Sequence, residues 1–204
     1  MYTHNKTSSK LLEQAVDAFN SLPGIGRRTA LKLALYILRQ PKENVGIFAN
    51  NIFSFREKVK RCHVCHNVSD SDLCNVCADP GRDRTIVCVV QDVQDVIAIE
   101  NTRQFNGLYH VLGGLISPVD GVGPADLNID SLVERVSHGD IKEVVFAVSS
   151  TTDGETTKFF ISRKLAEFPI KMSSISSGIS VGEEIEYTDE VTLGQSLLNR
   201  ININ

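Results

Sequence analysis

The sequence predicts an α/β domain on a mainly parallel sheet, preceded by an α-helical hairpin domain and a small metal-binding module. Three patterns predict it. From residue 84 onward, apolar β-branched runs alternate with helical runs, as when helices cross over between parallel strands. Ahead of them, Cys62, Cys65, Cys74 and Cys77 crowd into one short segment. Ahead of those, residues 10–60 carry helical periodicity, broken at Leu22-Pro23-Gly24-Ile25-Gly26. The 204 residues are expected to divide as 1–60, 61–80, 81–175 and a tail or oligomerisation segment, 176–204.

The elements follow in order. LLEQAVDAFNSL is amphipathic and stops at Pro23-Gly24. RRTALKLALYILRQ forms a second helical run ending before Pro41. ENVGIFANNIFSFREKVKR forms a third, with Val45, Phe48, Ile52, Phe55 and Val59 on one apolar face. Between the first two runs, Gly24 and Gly26 can take positive φ and leave backbone N–H groups uncovered. Ile25 can plug the gap between the helices. The second helix opens near Arg27, so its positive dipole end and free N–H groups suit a phosphate oxygen. Arg28 and Lys32 lie four apart on one face near that end. The pattern resembles a helix-hairpin-helix, which holds the DNA backbone without reading bases. The candidate DNA-binding residues are Gly24, Gly26, Arg27, Arg28 and Lys32. The other reading of the same residues is a tight αα-corner with a solvated basic face. Arg56, Lys58, Lys60 and Arg61 form a further basic set.

The cysteines are spaced C-x2-C-x8-C-x2-C. Two such turns supply four thiolates in a tetrahedron, which suits one structural Zn²⁺. A closed four-sulfur shell leaves no position for water and hence no metal catalysis. His63 and His66 lie inside the cluster, but the cysteines already complete the shell. The loop is too short for its own core, so the metal should hold it folded. Cys88 stands apart in TIVCVV and reads as a small buried hydrophobe.

Beyond the cysteines, TIVCVVQ, GLYHVLGG, EVVFAVSS and IKMSSIS read as strands. VQDVIAIENT, DSLVERVSHG and the run after Asp153 read as helices. In HVLGGLISPVDGVGP the glycines serve turns, and His110 reads as a satisfied core or edge histidine. The tail holds the acidic stretch EEIEYTDE and a helix around VTLGQSLLNR. The stretch SSTTDGE, residues 149–155, stands where an α/β protein keeps its chemistry, at the end of a strand. It offers mainly hydroxyls. The formal net charge of −4 means that any nucleic-acid contact must come from a local basic patch. No apolar run is long enough to cross a membrane, and residues 1–10 lack the apolar core of a secretion signal. A cytoplasmic location is expected.

The order hairpin, four-cysteine module, α/β domain, with LPGIG, LYHVLGG, ISPVDGVGP and E-Y-T-D-E-V-T-L, resembles the RecR family of bacterial recombination mediators from Leu11 to Arg200. The resemblance implies a Toprim-type α/β domain. Catalytic Toprim enzymes place a glutamate after the first strand and a D-x-D-x-E set after a later one, and these carboxylates hold Mg²⁺. The corresponding positions here are Gln91, beside Asp92, and then Ser149, Thr151 and Asp153. Hydroxyls poorly replace carboxylates, so the loop reads as a relic. A weakly held Mg²⁺ is not expected. Asp92, Asp153 and Glu155 become candidate partner-binding acids. GEEIEYTDE is loosely like a Walker B strand, but no phosphate-binding loop accompanies it. The resemblance further implies a non-enzyme that binds DNA, joins RecO and in some contexts RecF, and promotes RecA loading on single strands coated by single-strand-binding protein. It also implies a dimer or tetramer ring able to encircle DNA. Two rivals stay open: an active Toprim strand cleaver using Tyr109 or Tyr187, and a protein-binding zinc module whose hairpin serves assembly.

Overall fold

The computed structural model describes residues 9–200 except 177, 180, 181 and 183. Residues 1–8 and 201–204, where the expectations for the N-terminus and the end of the tail partly fall, lie outside them. The chain forms two compact units, 1–58 and 59–204.

The first unit holds α1 (Lys10–Asn20), α2 (Arg27–Leu38) and α3 (Lys42–Lys58). Ser9 caps α1 by accepting from the Leu12 N–H. Val16 of α1 is buried against Ala30 and Ala34 of α2, whose small side chains let the helices approach, and Ile25 plugs the hairpin as expected. The third helix departs from expectation at its end. It stops at Lys58, because Lys60 and Arg61 leave to pair with Ser69 and Val68. Its apolar face is present in sequence but none of its residues is buried; Phe48, Ile52 and Phe55 are 46%, 56% and 62% exposed.

The second unit opens with β1 (Lys60–Arg61) antiparallel to β2 (Val68–Ser69), followed by the short α4 (Asn75–Ala78). Next come β3 (Asp83–Val90), α5 (Val93–Thr102), β4 (Gly107–Val111), α6 (Ile129–Ser137), β5 (Glu143–Ala147), α7 (Thr152–Leu165) and β6 (Lys171–Ser174). The four long strands are all parallel, in the order β4-β3-β5-β6. Alternation along β3 divides the core. Val87 and Val89 join Leu132 and Val136 of α6 and Ile161 and Leu165 of α7. Cys88 and Val90 join Val96 of α5, Tyr109 and Val111. Cys88 is thus the buried small side chain its strand position predicts.

Because β4 and β5 flank β3, the connection reverses at the carboxyl ends of β3 and β5, where open α/β sheets bind ligands. Val90 pairs with Ala147, so the loops starting at Gln91 and Val148 leave the sheet side by side. The Gly-rich loop after β4 turns with positive φ at Gly113 and Gly121 and is anchored where the buried Thr157 hydroxyl accepts from the Ile116 N–H at 2.8 Å. In the tail, Ile185–Tyr187 is a 3-10 turn, not a Walker-B-like strand, and Asp189 then caps α8 (Glu190–Leu198). Among the described residues, no helix is long and apolar enough to cross a membrane.

Candidate nucleic-acid interface and metal centre

The hairpin exposes backbone where a phosphate would need it. Gly24 takes φ +78°, as its role in the turn requires, and a side chain at Gly24 or Gly26 would meet nothing within 4 Å. Gly26 does not share the positive φ. It is the extended N-cap of α2 at φ −77°. Having no side chain, it leaves the first N–H groups of α2 without a side-chain cap, and the first turn carries no acid to compete for them. Arg28 and Lys32 are exposed and make no hydrogen bond or ion pair among the described residues. Arg27 is different. It bridges Asp17 at 2.9 Å and Glu13 at 3.5 Å, tying the start of α2 back to α1. These exposed bridges add little stability, but they engage Arg27 with α1 while Arg28 and Lys32 stay unengaged. Of the further basic set, Lys60 bridges Asp72 at 2.9 Å and Arg61 donates to the His66 carbonyl at 3.3 Å.

The metal centre gathers as the spacing predicts. Cys62, Cys65, Cys74 and Cys77 are all buried, and their sulfurs lie within 4.8 Å of one another. The Cys65 and Cys74 sulfurs are 3.5 Å apart. Zn–S bonds of about 2.3 Å give a tetrahedron with edges of about 3.8 Å, so the set fits one structural zinc ion. Against the burial that opposes it, backbone N–H groups of Cys74, Cys65 and Val64 bring the Cys62 thiol down to about 6. Cys65 is pushed up by its bond to Cys77 and by burial, and burial lifts Cys74 to about 11. A dication satisfies all four sulfurs as thiolates at once, so zinc binding releases protons. Both histidines are engaged elsewhere: His63 Nδ1 donates to the Asp72 carbonyl at 2.9 Å, and His66 Nε2 meets Ser131 Oγ of α6 at 2.8 Å.

At the strand ends, the side chains have local tasks. Asp92 caps α5 by accepting from the Gln94 N–H at 2.7 Å, and Asp95 reciprocates on the Asp92 N–H. Ser149 and Thr151 hydroxyls share a hydrogen bond of 3.0 Å, and Thr151 caps α7 through the Gly154 N–H. Glu155 pairs with Lys158 at 2.7 Å. Among the described residues, Asp92, Asp153 and Glu155 are not gathered into a group close enough to share an ion. Sequence reasoning missed Gly154: a Cβ there would stand 1.9 Å from the Ser149 carbonyl oxygen, so only glycine lets helix and loop meet.

Of the two tyrosines of the strand-cleaving reading, Tyr109 is held inside the core. Tyr109 is 1% exposed, its hydroxyl donates to Glu100 at 2.7 Å, and burial followed by that bond pushes its pKa up. Glu100 also accepts from Arg82, locking the linker to the sheet. Tyr187 is 73% exposed in the 3-10 turn.

Comparison with known proteins assigns each part. Family models match as RecR, helix-hairpin-helix over 12–54; the RecR zinc finger domain of four cysteines over 59–79; Toprim domain over 85–176; and RecR, C-terminal over 178–201. A protein named Recombination protein RecR from Porphyromonas gingivalis is 58% identical over 195 residues, covering 96% of this chain and 94% of the relative. One of the same name from Bacteroides thetaiotaomicron is 57% identical over 192 residues, covering 94% of each. Another from Flavobacterium johnsoniae is 54% identical over 194 residues, covering 95% of this chain and 94% of the relative.

Proposed function

Because the chain belongs to the RecR family of recombination proteins, we propose that it acts without turnover as a cytoplasmic DNA-holding mediator. The observation that carries the reading is the hairpin: an uncapped helix start beside Gly24 and Gly26, with Arg28 and Lys32 exposed and unengaged. Such a surface holds phosphates and carries no base information. Metal, in this reading, serves structure through Cys62, Cys65, Cys74 and Cys77, and the domain limits 1–60, 61–80, 81–175 and 176–204 separate these tasks.

The finer part of the proposal concerns partners. RecO, and in some contexts RecF, joins the protein, and the acids Asp92, Asp153 and Glu155 offer RecO a surface at the strand ends. The complex promotes RecA loading on single strands coated by single-strand-binding protein. Holding DNA and a second DNA-binding protein together raises their local concentration and lowers the barrier the coat imposes. A ring of two or four copies would bring several Arg28–Lys32 pairs to one strand, which is how a net-acidic chain can grip DNA. The uncovered apolar face of α3 supports contact between copies.

The test is RecA filament assembly on coated single-stranded DNA, with RecO present and this protein added or omitted. Faster assembly with intact strands in Mg²⁺ is the expected result. No acceleration refutes the mediator reading, and Mg²⁺-dependent strand cleavage refutes the non-catalytic one.

A further inference from the structure

The zinc centre carries more charge than its own loop balances. Four thiolates and one Zn²⁺ sum to a dianion. All four sulfurs are buried, and buried charge demands a partner. Within the loop, backbone N–H groups offset part of that charge, Cys77 donating to the Cys74 sulfur at 3.4 Å, while Lys60 is held by Asp72 and Arg61 donates to the His66 carbonyl.

The α/β fold supplies the missing pieces. At the end of β4, an outer strand of the sheet, the Val111 N–H donates to the Cys65 carbonyl at 2.8 Å. Ser131 of α6 donates its hydroxyl to the Asn128 carbonyl at 3.1 Å and so accepts from His66 Nε2. One turn on, along the same face of α6, stands Arg135. Its guanidinium is part-buried and donates to the Tyr109 carbonyl of β4 at 2.7 Å. Arg135 has no carboxylate partner among the described residues. Burial works against its charge, and the anions that favour it are the cysteines, Cys77 foremost. From β3, Arg84 adds a donor to the Cys77 carbonyl at 3.2 Å.

We infer that Arg135 is the countercharge of the zinc–thiolate centre, a positioning residue that makes metal occupancy hold the β4 edge of the sheet as well as the cysteine loop. With zinc bound, the guanidinium offsets one of the two negative charges across the joint between loop and sheet. When zinc leaves, the sulfurs regain protons and Arg135 stays charged in a part-buried site with no anion. The Cys65–His66 corner then releases Val111, and an outer strand of the sheet loses its cover. The zinc therefore guards the α/β domain against opening at β4.

The wild-type protein tests half of this without any substitution. Amide hydrogen exchange is measured with zinc bound and after chelation. Protection at Tyr109 and Val111 is expected to fall together with that of residues 62–77. Protection at β4 that survives chelation while the cysteine loop opens overturns the inference. Zinc affinity, read by competition with a chromophoric chelator, tests the other half. Arg135→Met, which keeps the apolar stem and removes the charge, should weaken zinc by about 10- to 100-fold, the range for residues that support metal ligands. Arg135→Lys, which keeps the charge, should stay nearer the wild type. A methionine variant that holds zinc as tightly as wild type overturns the proposal. If that variant does not fold in excess zinc, the lysine variant and the wild-type exchange decide it: a lysine variant as weak as a charge-free site, or a β4 indifferent to chelation, counts against Arg135 as countercharge.

Discussion

His110 predicts an acid sensitivity that belongs to one side chain. It is fully buried in β4, and its Nε2 lies 2.7 Å from the Asn128 carbonyl. A carbonyl only accepts, so Nε2 carries the proton and Nδ1 is the bare nitrogen. Nδ1 is buried and has no partner among the described residues. Protonation would therefore place an N–H where nothing receives it. The charged groups facing the ring, Arg135 and His66, are also basic. Burial, opposed only in part by the Asn128 bond, and then Arg135 and His66, bring the pKa from the ordinary 6.5 down to about 3. The unfolded chain binds a proton near pH 6.5 that the folded chain refuses. The stability gained from neutral burial is thus present above pH 6.5 and lost as pH falls towards 3. At about 1.4 kcal/mol per pH unit, the loss between pH 6.5 and about pH 5 is roughly 2 kcal/mol. Urea unfolding at about pH 7.5 and about pH 5, with zinc in excess, measures it. His110→Gln keeps a donor for Asn128 and cannot titrate. Wild type should lose roughly 2 kcal/mol more than this variant across the interval. Equal losses in the two proteins would refute the reasoning.

Two further substitutions probe what holds the site in place. Tyr109→Phe removes the donor to Glu100 and should lower stability by about 1.5–3 kcal/mol, as for bonds to charged groups. DNA affinity should be unchanged at temperatures where the variant is folded, and a loss of binding there would return a functional role to Tyr109. Gly154→Ala forces a Cβ to within 1.9 Å of the Ser149 carbonyl oxygen. Backbone must move, so thermal unfolding should show a loss of about 1–3 kcal/mol or more. An unshifted midpoint would mean that the loop adapts freely.

Local chemistry was legible in the sequence, and long-range partners were not. The cysteine spacing alone located the metal centre, since each C-x2-C turn is built within its own few residues. VQDVIAIENT became a helix with those bounds because Asp92 and Asp95 form a reciprocal cap inside the segment. Helical periodicity continues through Val59 and hides the end of α3, because the pairing that stops it comes from Val68 and Ser69. Arg27 and Arg28 both begin α2 and look alike in sequence, and the bridges that set Arg27 apart come from Glu13 and Asp17 of the preceding helix. The Walker-like reading of GEEIEYTDE rests on an apolar-then-acidic order, whereas the turn at Ile185–Tyr187 and the cap at Asp189 decide the local backbone. Nothing in the helical run DSLVERVSHG marks Arg135, since only the fold brings it to the Tyr109 carbonyl of β4.

The most direct test of the account is DNA binding by fluorescence anisotropy across a salt series. Wild type is compared with Arg28→Glu/Lys32→Glu, alone and with RecO, after both are shown to assemble to the same mass. Each lost phosphate contact should reduce the slope of log affinity against log salt by about 0.9 on duplex DNA, or about 0.7 on single strands. The account predicts salt-sensitive binding by wild type and its loss in the double variant. A double variant that binds as tightly, with the same salt slope, would contradict the claim that the hairpin is the DNA grip.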